Sequence, residues 1–231
     1  MSRLKPVFMV FVLASFFCLS AIAQQDSAYF GVLGNISIPI GEFSDDINNP
    51  NTGLAKGGLG GTFEYSLPVS QGLYWSSSVS LLVNFVNDDL INEETGYEMG
   101  PWFNIPVLTG VRYHHILSAS MTILLTGQVG LGFVQAPTTE SNSAYQSVEF
   151  EASAKLATTF GFGIGAGFLL NDRIIFGVQY LDLGKAGIEY ESKMTTHTMI
   201  GGVDRTEEHT SSAEVDQKIA MFAISVGFIL L

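Results

Sequence analysis

The stretch from Thr158 to Tyr180 limits the fold of this chain more than any other. It reads Thr-Thr-Phe-Gly-Phe-Gly-Ile-Gly-Ala-Gly-Phe-Leu-Leu, then the polar turn Asn171-Asp172-Arg173, then Ile-Ile-Phe-Gly-Val-Gln-Tyr. Phe160, Phe162, Ile164 and Phe168 alternate with Gly161, Gly163, Gly165 and Gly167. After the turn, Ile174, Phe176, Val178 and Tyr180 share one face, with Gly177 and Gln179 on the other. A period of two is that of a strand, whose successive side chains point to opposite faces. One face of the hairpin is therefore apolar and the other small or polar. In water the apolar face would need a second sheet to cover it. In a bilayer the lipid covers it, and the small face lines a barrel lumen.

Six further segments carry the same alternation. They are Tyr29 to Ile40, Leu59 to Leu67, Leu73 to Phe85, Phe103 to Tyr113, Thr122 to Val134 and Ile219 to Leu231. With the hairpin they make eight strands of about the 9–11 residues that cross a bilayer at a tilt. The connections alternate in length. Pro68 to Gly72, Leu117 to Ser120 and Asn171 to Arg173 are short; Gly41 to Gly58, Asn87 to Trp102, Gln135 to Ser147 and Asp182 to Gln217 are long. Short periplasmic turns and long outer loops mark outer-membrane barrels. The expected fold is all-β, an eight-stranded antiparallel up-and-down transmembrane β-barrel. Within the longest loop, Ile188 to Met199 and Asp204 to Lys218 flank Ile200-Gly201-Gly202-Val203, a hairpin signal, so the last two strands are expected to project as a ribbon.

Composition fits this reading. The chain is 47% hydrophobic and only 14% charged, which is apolar for a soluble secreted protein. A soluble lipocalin-like barrel would carry its apolar face inward. Residues 1–23 read as a signal peptide: Arg3 and Lys5 start it, Val7 to Leu19 is its apolar run, and Ala21-Ile22-Ala23 is its cleavage site. Cleavage near Ala23 leaves residues 24–231 as one barrel domain in the outer membrane of a Gram-negative cell. The only cysteine, Cys18, leaves with the signal, and losing Arg3 and Lys5 takes the net charge from −12 to −14. Of the 22 Asp and Glu residues, all but Asp26, Glu64 and Asp172 fall in the long loops or the strand ends beside them. So acidic a surface excludes nucleic acid as a partner.

The sequence resembles small outer-membrane barrels of the Bacteroidota porin-family type, akin to OmpA-, OmpX- and OmpW-like barrels. The residues that carry the resemblance are Tyr29-Phe30-Gly31-Val32, Pro39-Ile40-Gly41-Glu42-Phe43, Asn104-Ile105-Pro106-Val107-Leu108 and the Gly-alternating final strands. It implies an architecture with no catalytic residue, with outer-membrane lipid, lipopolysaccharide and the barrel assembly machinery as partners. Such chains end in an aromatic residue, whereas this one ends Phe228-Ile229-Leu230-Leu231.

No chemistry stands out from the residues. The glycine series lacks the strand-turn-helix setting of a nucleotide loop. His114 and His115 are adjacent on a strand and cannot share a metal, and His197 and His209 lie in a polar loop where the sequence alone names no partner for them. Asp88-Asp89 with Glu93-Glu94, and Glu207-Glu208, offer oxygen ligands for weak divalent-cation binding but no EF-hand spacing; solvated acidic loops are the ordinary explanation for them. No enzyme activity, cofactor or metal is expected. The expected role is membrane-structural or surface interaction through the outer loops, against a narrow channel for small or apolar solutes and an accessory barrel of a secretion system. Glu64 and Arg112 are the only charges in the middle of the spans. Both have inward parity, lie at similar height above the short turns and are separated by one strand, so they are expected to pair across the lumen.

Overall fold

The structure, a computed structural model, describes residues 27–44, 52–87, 97–141, 148–200 and 203–230. The proposed signal peptide and the acidic residues Asp88, Asp89, Glu93 and Glu94 lie outside them. Eight strands form a closed ring: β1 (Tyr29–Pro39), β2 (Ala55–Ser70), β3 (Leu73–Val86), β5 (Trp102–Ser118), β6 (Met121–Gln135), β9 (Ala157–Leu170), β10 (Ile174–Ile200) and β11 (Val203–Leu230). Every neighbour is antiparallel, and β11 pairs with both β10 and β1, which closes the sheet on itself. The β1–β11 seam runs in unbroken register from Phe30↔Leu230 to Pro39↔Met221. Among the described residues no helix is long and apolar enough to cross a membrane; the crossing is made by strands.

Parity follows the sequence. Phe30, Val32, Ile36 and Ile38 of β1 face outward, as do Phe160, Phe162, Ile164 and Phe168 of β9 and Phe222, Ile224, Val226 and Phe228 of β11. Among the described residues no charge interrupts this belt. Pro106 is tolerated inside β5 because the β3–β5 ladder skips it: pairs form at Val79↔Val107 and resume at Leu82↔Asn104. Proline has no N–H to donate there.

The interior differs from the small, polar lumen expected. Apolar side chains fill its outer half: Leu82, Leu108, Val134, Leu181, Leu183, Ile219 and Met221 form one buried cluster with Phe43 and Trp102. Leu33, Leu124, Leu169 and Ile175 make a second, smaller one. An eight-stranded barrel encloses just enough room for side chains, and apolar side chains fill most of the outer half, although Asn104 Oδ1 is buried without a hydrogen-bond partner.

Three loops also depart from expectation. The described ends of the first, Gly41 to Gly58, fold inward. A 3-10 turn at Gly41–Phe43 seats Phe43 inside the barrel mouth, edge-on to Trp102 with ring centroids 5.3 Å apart. Trp102 Nε1 donates to the Gly53 carbonyl at 2.9 Å, and Gln217 Nε2 to the Glu42 carbonyl at 2.9 Å. The other long loops contain three short strands, β4 (Tyr97–Met99), β7 (Thr139–Ser141) and β8 (Val148–Ala154). These extend the projecting β10–β11 ribbon into a sheet of order β11-β10-β8-β7-β4.

The belt predicts how the barrel responds to charge. Val226→Arg, mid-span on β11, should destabilise the barrel by about 2–4 kcal/mol in lipid vesicles, and Phe162→Arg, in the outer aromatic rim, by only about 0–1 kcal/mol. Ser225→Ala, which removes the inward hydrogen bond to Asn35, should cost about 1 kcal/mol. Urea unfolding from vesicles measures all three; equal costs for Val226→Arg and Ser225→Ala would place the strands in the wrong register.

Candidate functional site

Two parts of the molecule could carry function: the lumen and the external sheet. In the lumen, the inward parity of β2 and β5 brings Glu64 and Arg112 together. The guanidinium binds the carboxylate through both arms, Nη1 to Oε1 and Nη2 to Oε2, the latter at 2.7 Å. Arg112 Nη1 also donates to Tyr29 Oη at 3.0 Å, and Nε to Thr126 Oγ1 at 3.0 Å. Both charged side chains are buried. Desolvating them is costly and is offset only by this bidentate geometry and the extra acceptors. Gly31 makes the contact sterically feasible, because a Cβ there would lie 2.7 Å from Glu64 Cγ.

In the sequence, Tyr29 and Gly31 stood out only through the family resemblance and Thr126 not at all; none was expected beside the ion pair. Their signal was present: inward parity on the strands beside Glu64 and Arg112. Tyr29 Oη also lies 3.3 Å from His114 Nε2, and His114 stacks on Tyr74 with ring centroids 4.1 Å apart. His115 turns outward beside Tyr113, so the two histidines diverge as strand neighbours do.

Above the pair lies a polar belt. Ser225 Oγ donates to Asn35, Asn35 Nδ2 to Thr62, and Thr62 shares a hydrogen bond with Ser80. Gln179 of β10 donates to Gln128 of β6 at 3.3 Å, spanning the intervening β9, and Gln128 reaches Ser76 on β3. The cavity left between these groups is about 60 Å³ and is lined by Glu64, Arg112, Gln128 and Gln179 among others. That is room for a few waters.

The external sheet has two different faces. At its base, one face continues the barrel core through Ala186 and Ile188, with Tyr190, Ala154 and Met99 packed against it. The other is acidic. Glu140, Glu149, Glu151, Lys193 and Thr195 line one hollow on it. Lys193 Nζ bonds Glu208 at 2.9 Å, and Lys155 bridges Glu191 at 2.8 Å and Glu189 at 3.2 Å. The hydrogen bond to Glu208, with its charge, holds the Lys193 pKa above the ordinary lysine range. Glu207 and Glu208 fall on opposite faces of the ribbon by strand parity. His197 Nδ1 lies 3.4 Å from Thr206 Oγ1. Among the described residues no three His, Cys, Asp or Glu side chains are placed to hold a metal ion.

A closed antiparallel ring with an apolar belt, short turns at one end and an extended sheet at the other defines an integral outer-membrane β-barrel protein. The sequence matches the family described as outer membrane protein beta-barrel domain over residues 9–218, and the chain belongs to that family. Its fold is similar to a major outer membrane protein from Thermus thermophilus (TM-score 0.50, 9% identity, covering 89% of this chain and 100% of that one). It is also similar to Ail, the attachment invasion locus protein of Yersinia pestis (TM-score 0.49, 10% identity, 88% and 97% covered). A third is OprG from Pseudomonas aeruginosa (TM-score 0.48, 12% identity, 90% and 98% covered). At such identities the likeness is one of fold. No curated protein matches the chain in sequence.

The lumen pair yields a testable cycle. Arg112→Met and Glu64→Gln should each destabilise the barrel by roughly 3–5 kcal/mol, since each leaves a desolvated partner behind, and the double change should cost less than either. Unfolding from vesicles measures the coupling; additive costs would mean that the two charges act independently.

Proposed function

We propose that this barrel is a non-catalytic, non-conducting surface protein of the outer membrane, whose span anchors an external sheet that binds partners outside the cell. The observation that carries this reading is the length of the last two strands. β10 and β11 have 27 and 28 residues, where about 9–11 cross a bilayer. Their paired ribbon from Lys185 to Ile200 adds about 50 Å beyond the barrel. Among the described residues, the ribbon part of β11 pairs with β10 alone, leaving a free edge on which an extended segment can add as a further strand. Glu208, Glu214 and Asp216 beside that edge favour a basic segment.

The lumen supports the same reading. An apolar plug, a polar belt and a buried ion pair fill it, which disfavours a channel for small or apolar solutes. The segments Pro39 to Phe43 and Asn104 to Leu108 support a Bacteroidota porin-type origin. On this reading the first 23 residues are removed as a signal, and the assembly machinery and lipopolysaccharide are the barrel's partners during and after insertion.

Replacing Glu189 to Glu214 by a two-residue Asn-Gly turn tests the proposal. The shortened barrel should fold and insert as the full one does, and both should be silent in planar bilayers. Binding of a Lys/Arg-rich extended peptide to the reconstituted protein should fall at least tenfold. Equal peptide binding by both forms would refute the sheet's role, and ion conductance by the full-length barrel would favour the channel reading instead. Loss of a secreted cargo on deletion of the protein, with peptide binding absent, would favour a secretion accessory.

A further inference from the structure

One place on this acidic surface breaks the pattern. At the base of the ribbon, Lys185 of β10 stands directly opposite Lys218 of β11 in the ladder. Like charges directly opposite on one sheet face repel. Lys218 is 3.7 Å from Asp182, and Lys185 makes no ion pair among the described residues. Asp182 has other duties: its Oδ1 accepts from the Gly184 N–H at 2.8 Å and its Oδ2 from Tyr180 Oη at 3.2 Å. Those bonds hold a bulge between Asp182 and Lys185 in which Gly184 takes φ +71°, a left-handed conformation that glycine adopts without strain. The bulge shifts the register so that Lys185 falls opposite Lys218. A local structure is thus maintained that sets two cations side by side.

Their height identifies what lies between them. Lys218 has the parity of Phe222 and points to the outside of the barrel, as its ladder partner Lys185 does. Below them sits an aromatic cluster: Tyr180 lies 5.9 Å from Phe162 and 5.6 Å from Phe222 between ring centroids. Such rings mark the boundary of the hydrocarbon. Four residues separate Phe222 from Lys218, which at a barrel tilt is roughly 10 Å of height. Lysine side chains bend along apolar surface toward such a boundary, so both ammonium groups reach the headgroup layer, the 5–7 Å or so beyond the hydrocarbon. Immediately beyond, Asp216, Glu214 and Glu189 return the surface to negative charge.

We propose that Lys185 and Lys218 form a binding site for the phosphate of an outer-leaflet lipid headgroup. The phosphate sits between the two ammonium groups, relieves their repulsion and fixes the ribbon's base at the membrane surface. The acidic residues above it turn other anions away, so the site selects an anion presented from the membrane plane.

The test uses the full-length barrel in nanodiscs of zwitterionic phosphatidylcholine, with and without diphosphoryl lipid A, and follows the thermal unfolding midpoint. The midpoint of the native protein should rise with lipid A content. Lys185→Gln and Lys218→Gln should each lose at least half of that rise, and the double variant nearly all of it. In pure phosphatidylcholine Lys185→Gln, which breaks no ion pair among the described residues, should be as stable as the native protein or more so, because the repulsion is gone; Lys218→Gln also removes the contact to Asp182 and is read only by its loss of the lipid A response. Three results would overturn the site: no rise for the native protein, a rise of equal size in the double variant, or a loss of stability in Lys185→Gln that is the same in both bilayers. A rise reproduced by inorganic phosphate in pure phosphatidylcholine would overturn the membrane source and leave a general anion site.

Discussion

The structure depends on the pairing of β1 with β11. Inside hydrocarbon every backbone N–H and C=O must find a partner within the protein, and a sheet with open edges leaves two rows unpaired. The uninterrupted seam from Phe30↔Leu230 to Pro39↔Met221 removes both edges within the span. Other features follow from closure. With no edge to protect, the outward face is free to be almost entirely apolar, and its Ser77 and Thr109 hydroxyls satisfy each other. With eight strands, the enclosed space is narrow and is filled by side chains. Where the ring ends, β10 and β11 continue together, and the free edge that was forbidden in lipid reappears outside as a surface on which a strand can dock.

Filling the lumen divides the barrel into zones. Toward the short turns, a bidentate ion pair held by Tyr29 and Thr126 occupies the space. A belt of Asn, Gln, Ser and Thr side chains satisfies itself at mid-height. Toward the outside, Phe43 and Trp102 cap an apolar cluster. The apolar cap gains stability from burial, whereas the ion pair offsets its own desolvation at best; its contribution is to hold β2 and β5 in one relative position. Both occupy the lumen, and the proposed surface role accordingly rests on the outer sheet.

The barrel was legible in the sequence because lipid enforces alternation on every strand, and no packing decision inside the barrel can override it. The Phe/Gly alternation of residues 160–168 survives unchanged in the structure. Glu64 and Arg112 could be brought together on paper because parity, height and strand order are all fixed by the barrel geometry. The plug was not legible. Phe43 lies in a loop, where no period constrains its direction, and the motif Pro39 to Phe43 was read for its family likeness alone. The inward leucines were hidden in apolar doublets such as Leu81-Leu82 and Leu124-Leu125, in which one residue faces lipid and the next faces the core. The short strands β4, β7 and β8 were missed because three to seven residues between polar loops carry too little alternation to register, and their pairing depends on a ribbon already formed.

Amide hydrogen exchange along the seam, on protein reconstituted in bilayers, tests the closed ring most directly. Closure predicts that the ladder amides of residues 30–38 and 221–230 exchange as slowly as those of β5 and β6, because all are paired and shielded from water. The ribbon amides of residues 204–216 should exchange faster, since the β11 edge there is open to solvent. Exchange at the β1–β11 seam that is orders of magnitude faster than in β5 and β6 would mean an open sheet, and would contradict both the barrel and the filled lumen derived from it.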